Sequence, residues 1–276
     1  APIFKDKAIN GIVVATPHKW LASLSLAGLK SGKHILCEKP AGISSKEIRK
    51  NIQEAKKRKL VYMVGFNHRY HPGFLMARKI IKKGGIGKLM FIRARHGFGG
   101  RKNYQKEWRF QKEVSGGGEL LDQGVHMIDL SRFFLGDFRD IYGFAEDFFW
   151  PGRVEDNGFL LLRTKNRKVA SIHVSWTNWD WIHSFEIFGS RGYLIINGLD
   201  QRYHGPEKLI WGRQDPKFQK FPEEKIYIFE NENKEDSFQR ELKDFILAIR
   251  GGNKNIPTGE DAYEVLKIVE KVYKYK

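Results

Sequence analysis

Three short apolar runs near the start of the chain constrain its fold most. Gly11 to Ala15 (Gly-Ile-Val-Val-Ala) stops at Thr16-Pro17, His34 to Cys37 runs into Glu38-Lys39-Pro40, and Val61 to Phe66 is the third. Runs apolar on both faces belong in a parallel sheet that is covered on both sides. Between the first two lies a helical stretch with Trp20, Leu21, Leu24 and Ala27 at helical spacing, closed by Gly32. Between the second and third, Ser44-Ser45-Lys46-Glu47 has the form of a capping box, with Ile48, Ile52 and Ala55 as the apolar stripe behind it. Strand, helix, strand, helix, strand means βαβ units and a parallel sheet.

The pattern changes after a further helix from Pro72 to about Lys83. From Leu89 onward the sequence predicts strands at 89–96, 141–149, 158–164, 169–177, 184–189, 193–197, 208–212 and 225–229. Within 169–177, Ala170, Ile172, Val174 and Trp176 alternate with Ser171, His173, Ser175 and Thr177. That period of two marks a sheet with one buried and one polar face. Helices over 236–250 and from Thr258, with Asp261 three residues on, follow the strands. The expected organisation is a parallel α/β part over 1–83 and an α+β part over 84–276 with a mostly antiparallel sheet.

Ligands of open parallel sheets bind beyond the carboxyl ends of the strands. Thr16-Pro17, Glu38-Lys39-Pro40 and Asn67-His68-Arg69 each follow a strand directly, so all three gather along one edge. The stretch that has to face this edge is Gly116 to His126, Gly-Gly-Gly-Glu-Leu-Leu-Asp-Gln-Gly-Val-His. Its glycines let backbone N–H groups come close to a ligand, and a helix opens behind them. On that helix Asp122 and His126 stand four residues apart and share a face. A carboxylate beside an imidazole, whose ordinary pKa of about 6.5 lies near neutrality, suits proton transfer.

With 276 residues, 41% of them hydrophobic, the chain can bury one large core or two ordinary ones. No apolar run approaches the roughly 20 residues of a membrane span, and the opening residues lack signal-peptide anatomy. Cys37 is the only cysteine, which excludes an internal disulfide and a cysteine-based metal cluster. A cytoplasmic setting without a metal is therefore expected. The net charge of +17 raises the question of nucleic acid. Its lysines are spread over nearly every helix and loop, and the densest run, Lys56-Lys57-Arg58-Lys59, falls at a helix C-terminus where cations suit the dipole. Neither nucleic acid nor membrane is an expected partner.

Taken together, the strand ending in Thr16-Pro17, the run Ala27-Gly28-Leu29-Lys30-Ser31-Gly32-Lys33-His34-Ile35-Leu36-Cys37-Glu38-Lys39-Pro40, and Gly-Gly-Gly-x-Leu-x-Asp-x-Gly-x-His from Gly116 resemble the Gfo/Idh/MocA family. This is the glucose–fructose oxidoreductase and inositol dehydrogenase family of nicotinamide-dependent enzymes. The resemblance spans essentially the whole chain, Trp108-Arg109 included. It implies the C-terminal part of a Rossmann-type parallel sheet, then an α/β domain with a large, mostly antiparallel open sheet that often builds dimers or tetramers. It also implies NAD or NADP and hydride transfer at a carbinol carbon of a sugar, polyol or sugar derivative. The family's catalytic lysine, aspartate and histidine fall on Lys39, Asp122 and His126. Thr16 and Pro17 would lie against the dinucleotide, Glu38 near the ribose, and Lys39 and Asn67 toward the nicotinamide.

The residue types agree with this chemistry. Loss of hydride leaves a developing carbonyl, so the hydroxyl proton needs a base, and His126 is the candidate. Lys39 can bond the substrate oxygen, and Asp122 can orient His126 or Lys39 while a nearby cation keeps it ionised. Trp108, Arg109 and Trp179 are candidate substrate contacts: aromatic faces suit sugar C–H groups and Arg109 suits a phosphate or carboxylate. Trp176, Trp179 and Trp181 would equally suit a subunit interface.

Two features depart from the family pattern. The fingerprint Gly-x-Gly-x-x-Gly after a first strand is absent, and Gly97-Phe98-Gly99-Gly100 comes too late to replace it, so the sequence reads as N-terminally truncated. The family often has a histidine four residues after the Thr-Pro proline, where this chain has Leu21. A catalytically silent relative or a fragment retained for binding or assembly is the competing expectation.

Overall fold

The computed structural model describes residues 2–199, 205–230, 236–253 and 255–274. A short helix α1 (Pro2–Lys5) precedes β1 (Gly11–Val14), α2 (His18–Lys30), β2 (His34–Glu38), α3 (Ser45–Arg58) and β3 (Tyr62–Gly65). The three strands pair in parallel in the order β1-β2-β3. β2 shows why both faces need cover. Ile35 and Cys37 join Leu21, Leu29 and Ile48 in the main core, while Leu36 points the other way, to Met63, Tyr70 and Phe245. Each such side chain contributes about 1.5–3 kcal/mol on burial. Ser44 caps α3 as its sequence predicts, its hydroxyl accepting from the Glu47 amide.

A 3-10 turn (Asn67–Tyr70), α4 (Pro72–Lys82) and β4 (Leu89–Gly97) come next. A segment of short turns then leads through α5 (Lys112–Ser115) to a π turn (Leu120–Gly124) and α6 (Val125–Leu135). The sequence predicts an ordinary helix opening at this point, and the structure widens its first turn.

The remaining strands are β5 (Phe138–Glu146), β6 (Asn157–Thr164), β7 (Val169–Ser175), β8 (Ile182–Gly189), β9 (Gly192–Asn197), β10 (Glu207–Arg213) and β11 (Glu223–Phe229). Helices α7 (Ser237–Ile249) and α8 (Gly259–Tyr273) follow. Among the described residues the second sheet has eight strands in the order β11-β10-β9-β8-β4-β7-β6-β5. Only β4 and β7 run parallel, so the sheet is mostly antiparallel as expected.

β5 covers 138–146 rather than the predicted 141–149. The Asp156 carboxylate accepts from the amides of Phe148, Phe149 and Trp150 at 3.0, 2.8 and 2.9 Å, which draws that segment off the sheet. The alternation in β7 holds, with Ala170, Ile172, Val174 and Trp176 all buried. The other face of the sheet is open and apolar in places: Tyr142 is 60%, Phe144 63% and Leu161 52% exposed.

α7 closes the second face of the parallel sheet through Phe245. α8 packs against α3, α6 and β5 and so joins the two sheets. Its start is fixed by the expected capping box between Thr258 and Asp261 and by the Val64 amide, which donates to the Pro257 carbonyl at 3.0 Å. No helix among the described residues is long and apolar enough to cross a membrane.

Candidate active site

The carboxyl ends of β1, β2 and β3 deliver Thr16-Pro17, Glu38-Lys39 and Asn67 to one edge, and the π turn with α6 faces it. Lys39 reaches across: its Nζ lies 2.7 Å from Asp122 Oδ1 and also donates to the Asp122 carbonyl. Arg109 takes the other carboxylate oxygen, Nε to Oδ2 at 2.9 Å, and bonds Glu107 as well. Asp122 is buried between these cations. Burial alone would raise its pKa, but Lys39 and then Arg109 outweigh burial and hold it well below the usual carboxylate range. Of the two side chains expected beside Asp122, Lys39 is the one that bonds it.

Arg109 therefore commits its guanidinium to Asp122 and Glu107, and its ring neighbour is Trp108, 4.8 Å away. Trp108 in turn stands edge-on to His18 at 4.9 Å. Trp179 is 66% exposed and packs on Phe149, and among the described residues it makes no hydrogen bond or ring contact with Lys39, Asp122 or His126.

His18 is a site residue that the sequence reading passed over. It follows Pro17 directly, its Nδ1 lies 2.8 Å from the Ser115 carbonyl oxygen, and its Nε2 is 3.8 Å from Asp122 Oδ1. Burial lowers its pKa to about 4, so it is neutral at physiological pH. The family's usual histidine offset pointed instead to Leu21, which is wholly buried in the core. The signal present in the sequence was position alone, a histidine immediately beyond a strand end.

His126 is buried, and burial followed by the Lys39 charge pushes its pKa well below the ordinary value. Its Nδ1 is enclosed and has no hydrogen-bond partner among the described residues. A neutral imidazole beside a lysine can accept a proton and hand it back.

The glycine turn differs from its sequence reading. Its N–H groups serve Glu155 rather than an incoming ligand: Gly118 N donates to Glu155 Oε1 at 2.9 Å and Glu119 N to the Glu155 carbonyl at 3.1 Å. Close packing explains the glycines. A Cβ on Gly117 would stand 2.1 Å from the Tyr273 hydroxyl, and one on Gly118 1.7 Å from the Glu155 carbonyl oxygen. Glu119 is fully buried, with neither carboxylate oxygen bonded, and burial raises its pKa well above the usual value.

At the parallel-sheet edge Thr16 Oγ1 is buried and unpartnered, a polar atom without protein company at the place where a dinucleotide would lie. Pro17 caps the start of α2. Asn67 Nδ2 donates to Ser237 Oγ at 3.2 Å, so α7 holds that side chain. Glu241 of α7 is pushed up to about 9 by burial and then by Glu38, which places two carboxyl groups close together there. Among the described residues no group of three or more histidine, cysteine, aspartate or glutamate side chains is placed to hold a metal ion.

A parallel-sheet part joined to an open-sheet part, with a lysine from the first meeting an aspartate and histidine of the second, is the architecture of a two-part nucleotide-dependent oxidoreductase. Residues 1–66 match the oxidoreductase family with a NAD-binding Rossmann fold, and residues 74–195 match the Gfo/Idh/MocA C-terminal domain. The chain belongs to the Gfo/Idh/MocA family. It is 28% identical to levoglucosan dehydrogenase of Pseudarthrobacter phenanthrenivorans over 71% of this chain and 57% of that protein. It is 24% identical to myo-inositol 2-dehydrogenase of Thermotoga maritima, covering 94% of this chain and 75% of the relative. Among solved structures, levoglucosan dehydrogenase in complex with NADH superposes with a TM-score of 0.87 at 26% identity, over 99% of this chain and 80% of that one.

Proposed function

We propose that this chain carries the chemistry of a nicotinamide-dependent oxidoreductase, which moves hydride between NAD or NADP and a carbinol carbon of a sugar, polyol or sugar derivative. The observation that carries this reading is the Lys39–Asp122 ion pair, which joins the end of β2 to the π turn beside the uncharged His126. In the oxidative direction His126 accepts the hydroxyl proton, a role typically worth roughly 10²–10⁴-fold in rate. Lys39 donates a hydrogen bond to the substrate oxygen as charge develops on it. Asp122, fixed by Lys39 and Arg109, keeps the lysine aimed, and His18 and Trp108 wall the site. The bound nicotinamide would supply the hydride acceptor. Thr16, Pro17, Glu38 and Asn67 would hold it, and the unpartnered Thr16 Oγ1 fits that use.

The relatives suggest the substrate class. Levoglucosan, myo-inositol and 1,5-anhydro-D-fructose, for which they are named, are all cyclic polyhydroxylated molecules. Residues 1–83 as the cofactor part and 84–276 as the substrate part belong to this proposal, with α7 and α8 returning to brace the first. So do a cytoplasmic setting and a homo-oligomer formed through the open face that carries Tyr142, Phe144 and Leu161.

Steady-state oxidation of levoglucosan and myo-inositol, followed by NAD(P)H appearance, tests the reading. Lys39→Met and His126→Asn should each lower kcat/KM by at least about 10²-fold. Turnover at the native rate in both variants would reject the mechanism.

A further inference from the structure

An imidazole base is usually oriented by a hydrogen bond to its second nitrogen, yet His126 Nδ1 has none and Asp122 is occupied elsewhere. Something other than a hydrogen bond has to hold this ring. The His68 ring lies flat against it, centroids 3.8 Å apart and planes 12° from parallel. Phe66 meets His126 edge-on at 6.0 Å.

We propose that His68 is the positioning residue for the proton-accepting ring, fixing the plane of His126 by stacking where a carboxylate would ordinarily do so. This rests on the oxidoreductase reading above.

The backbone supports the pairing. Arg69, next to His68 on the 3-10 turn, bonds Asp129 with Nε to Oδ2 at 2.7 Å, and Asp129 lies one turn beyond His126 on α6. One ion pair thus clamps the two segments at the level of the stack. His68 is itself enclosed by imidazoles: His71 and His96 at 5.7 Å and His183 at 6.0 Å. Burial, then the neighbouring His126, pushes the His68 pKa well below the ordinary value, so two neutral rings stack without repulsion.

The test compares His68→Leu and His68→Met, which fill the space without a flat face, with His68→Phe, which restores one. The readouts are kinetics with NAD and levoglucosan or myo-inositol, and ring-nitrogen NMR of histidine-labelled protein. The expected result for Leu and Met is a kcat roughly tenfold lower at a KM changed by less than about twofold, a part of the roughly hundredfold that a full ångström of misplacement can cost. Their His126 ring signals should broaden or split. Phe should bring kcat back to within about threefold of native and restore a single set of signals. Unchanged kcat and unchanged His126 signals in Leu and Met overturn the proposal, as does a Phe variant as impaired as Leu. Failure of the oxidoreductase reading looks different: native protein without turnover, while the His126 signals still respond to Leu and recover with Phe.

Discussion

Lys39 Nζ stands 2.7 Å from one oxygen of Asp122 while Arg109 Nε stands 2.9 Å from the other, so a single buried carboxylate ties the end of β2 to the segment ahead of α5. Removing Lys39 leaves the buried Asp122 with one of its two cations. Lys39→Met should therefore cost about 2 kcal/mol or more of stability as well as activity. Adding Asp122→Asn to Lys39→Met should recover part of that stability and none of the turnover. Urea melts of the four proteins in the cycle measure the coupling, and strictly additive losses would show that the two side chains do not depend on each other.

Two glycines with opposite surroundings give a paired prediction. Gly118→Ala drives a Cβ into the Glu155 carbonyl, a backbone atom that cannot step aside, and should cost at least about 3 kcal/mol. Gly32, in the left-handed turn that closes α2, has φ +78 but nothing within 4 Å of a Cβ. Its replacement by alanine should cost only about 1 kcal/mol of backbone strain. Equal losses in the two variants would refute the packing account of the glycine turn.

Acid should loosen the fold early. Burial lowers His18 to about 4 and His96 to about 3, and puts His68, His126 and His183 well below their ordinary value. Each binds its proton in the unfolded chain near pH 6.5 but not in the native one. Stability thus falls as pH drops below that point, by up to about 1.4 kcal/mol per pH unit per histidine. Glu119 and Glu241, with raised values, work in the opposite sense over this range and offset part of the loss. The urea midpoint should rise from pH 8 to 7, where Glu119 and Glu241 bind protons on folding and the histidines do not yet oppose them, and decline from 6.5 to 4.5. A flat profile across that window would mean the imidazoles are charged in the native state.

The open sheet face provides the fourth test. Phe144→Asp places a charge among exposed aromatics without touching the core. Light scattering should show a smaller particle than for the native protein while the melting temperature stays within a few degrees. No change in mass would remove this face from the proposed assembly.

Local patterns were legible in the sequence, and long-range partnerships were not. The βαβ order, the Ser44 cap, the Thr258–Asp261 box and the alternation through Ala170, Ile172 and Val174 each depend on residues a few positions apart. The approach of Lys39 to Asp122 was expected from family motifs and could not be had from spacing. The histidine cluster was invisible, because His68, His71, His96, His126 and His183 come from separate elements and none has a local signature. The same holds for Glu155, which takes the amides of the glycine turn from 37 residues away. Asp156, six to eight residues on, ends β5 before the predicted 149 by taking the amides of Phe148, Phe149 and Trp150.

Tyr273 has a consequence for how the molecule is made. Its hydroxyl donates to Glu155 at 2.6 Å and sits against Gly117, so the glycine turn of the candidate site is held by a side chain translated long after it. A nascent chain leaving the ribosome can assemble its parallel strands early, but the turn lacks this support until α8 has emerged. The candidate site would then be completed late during synthesis.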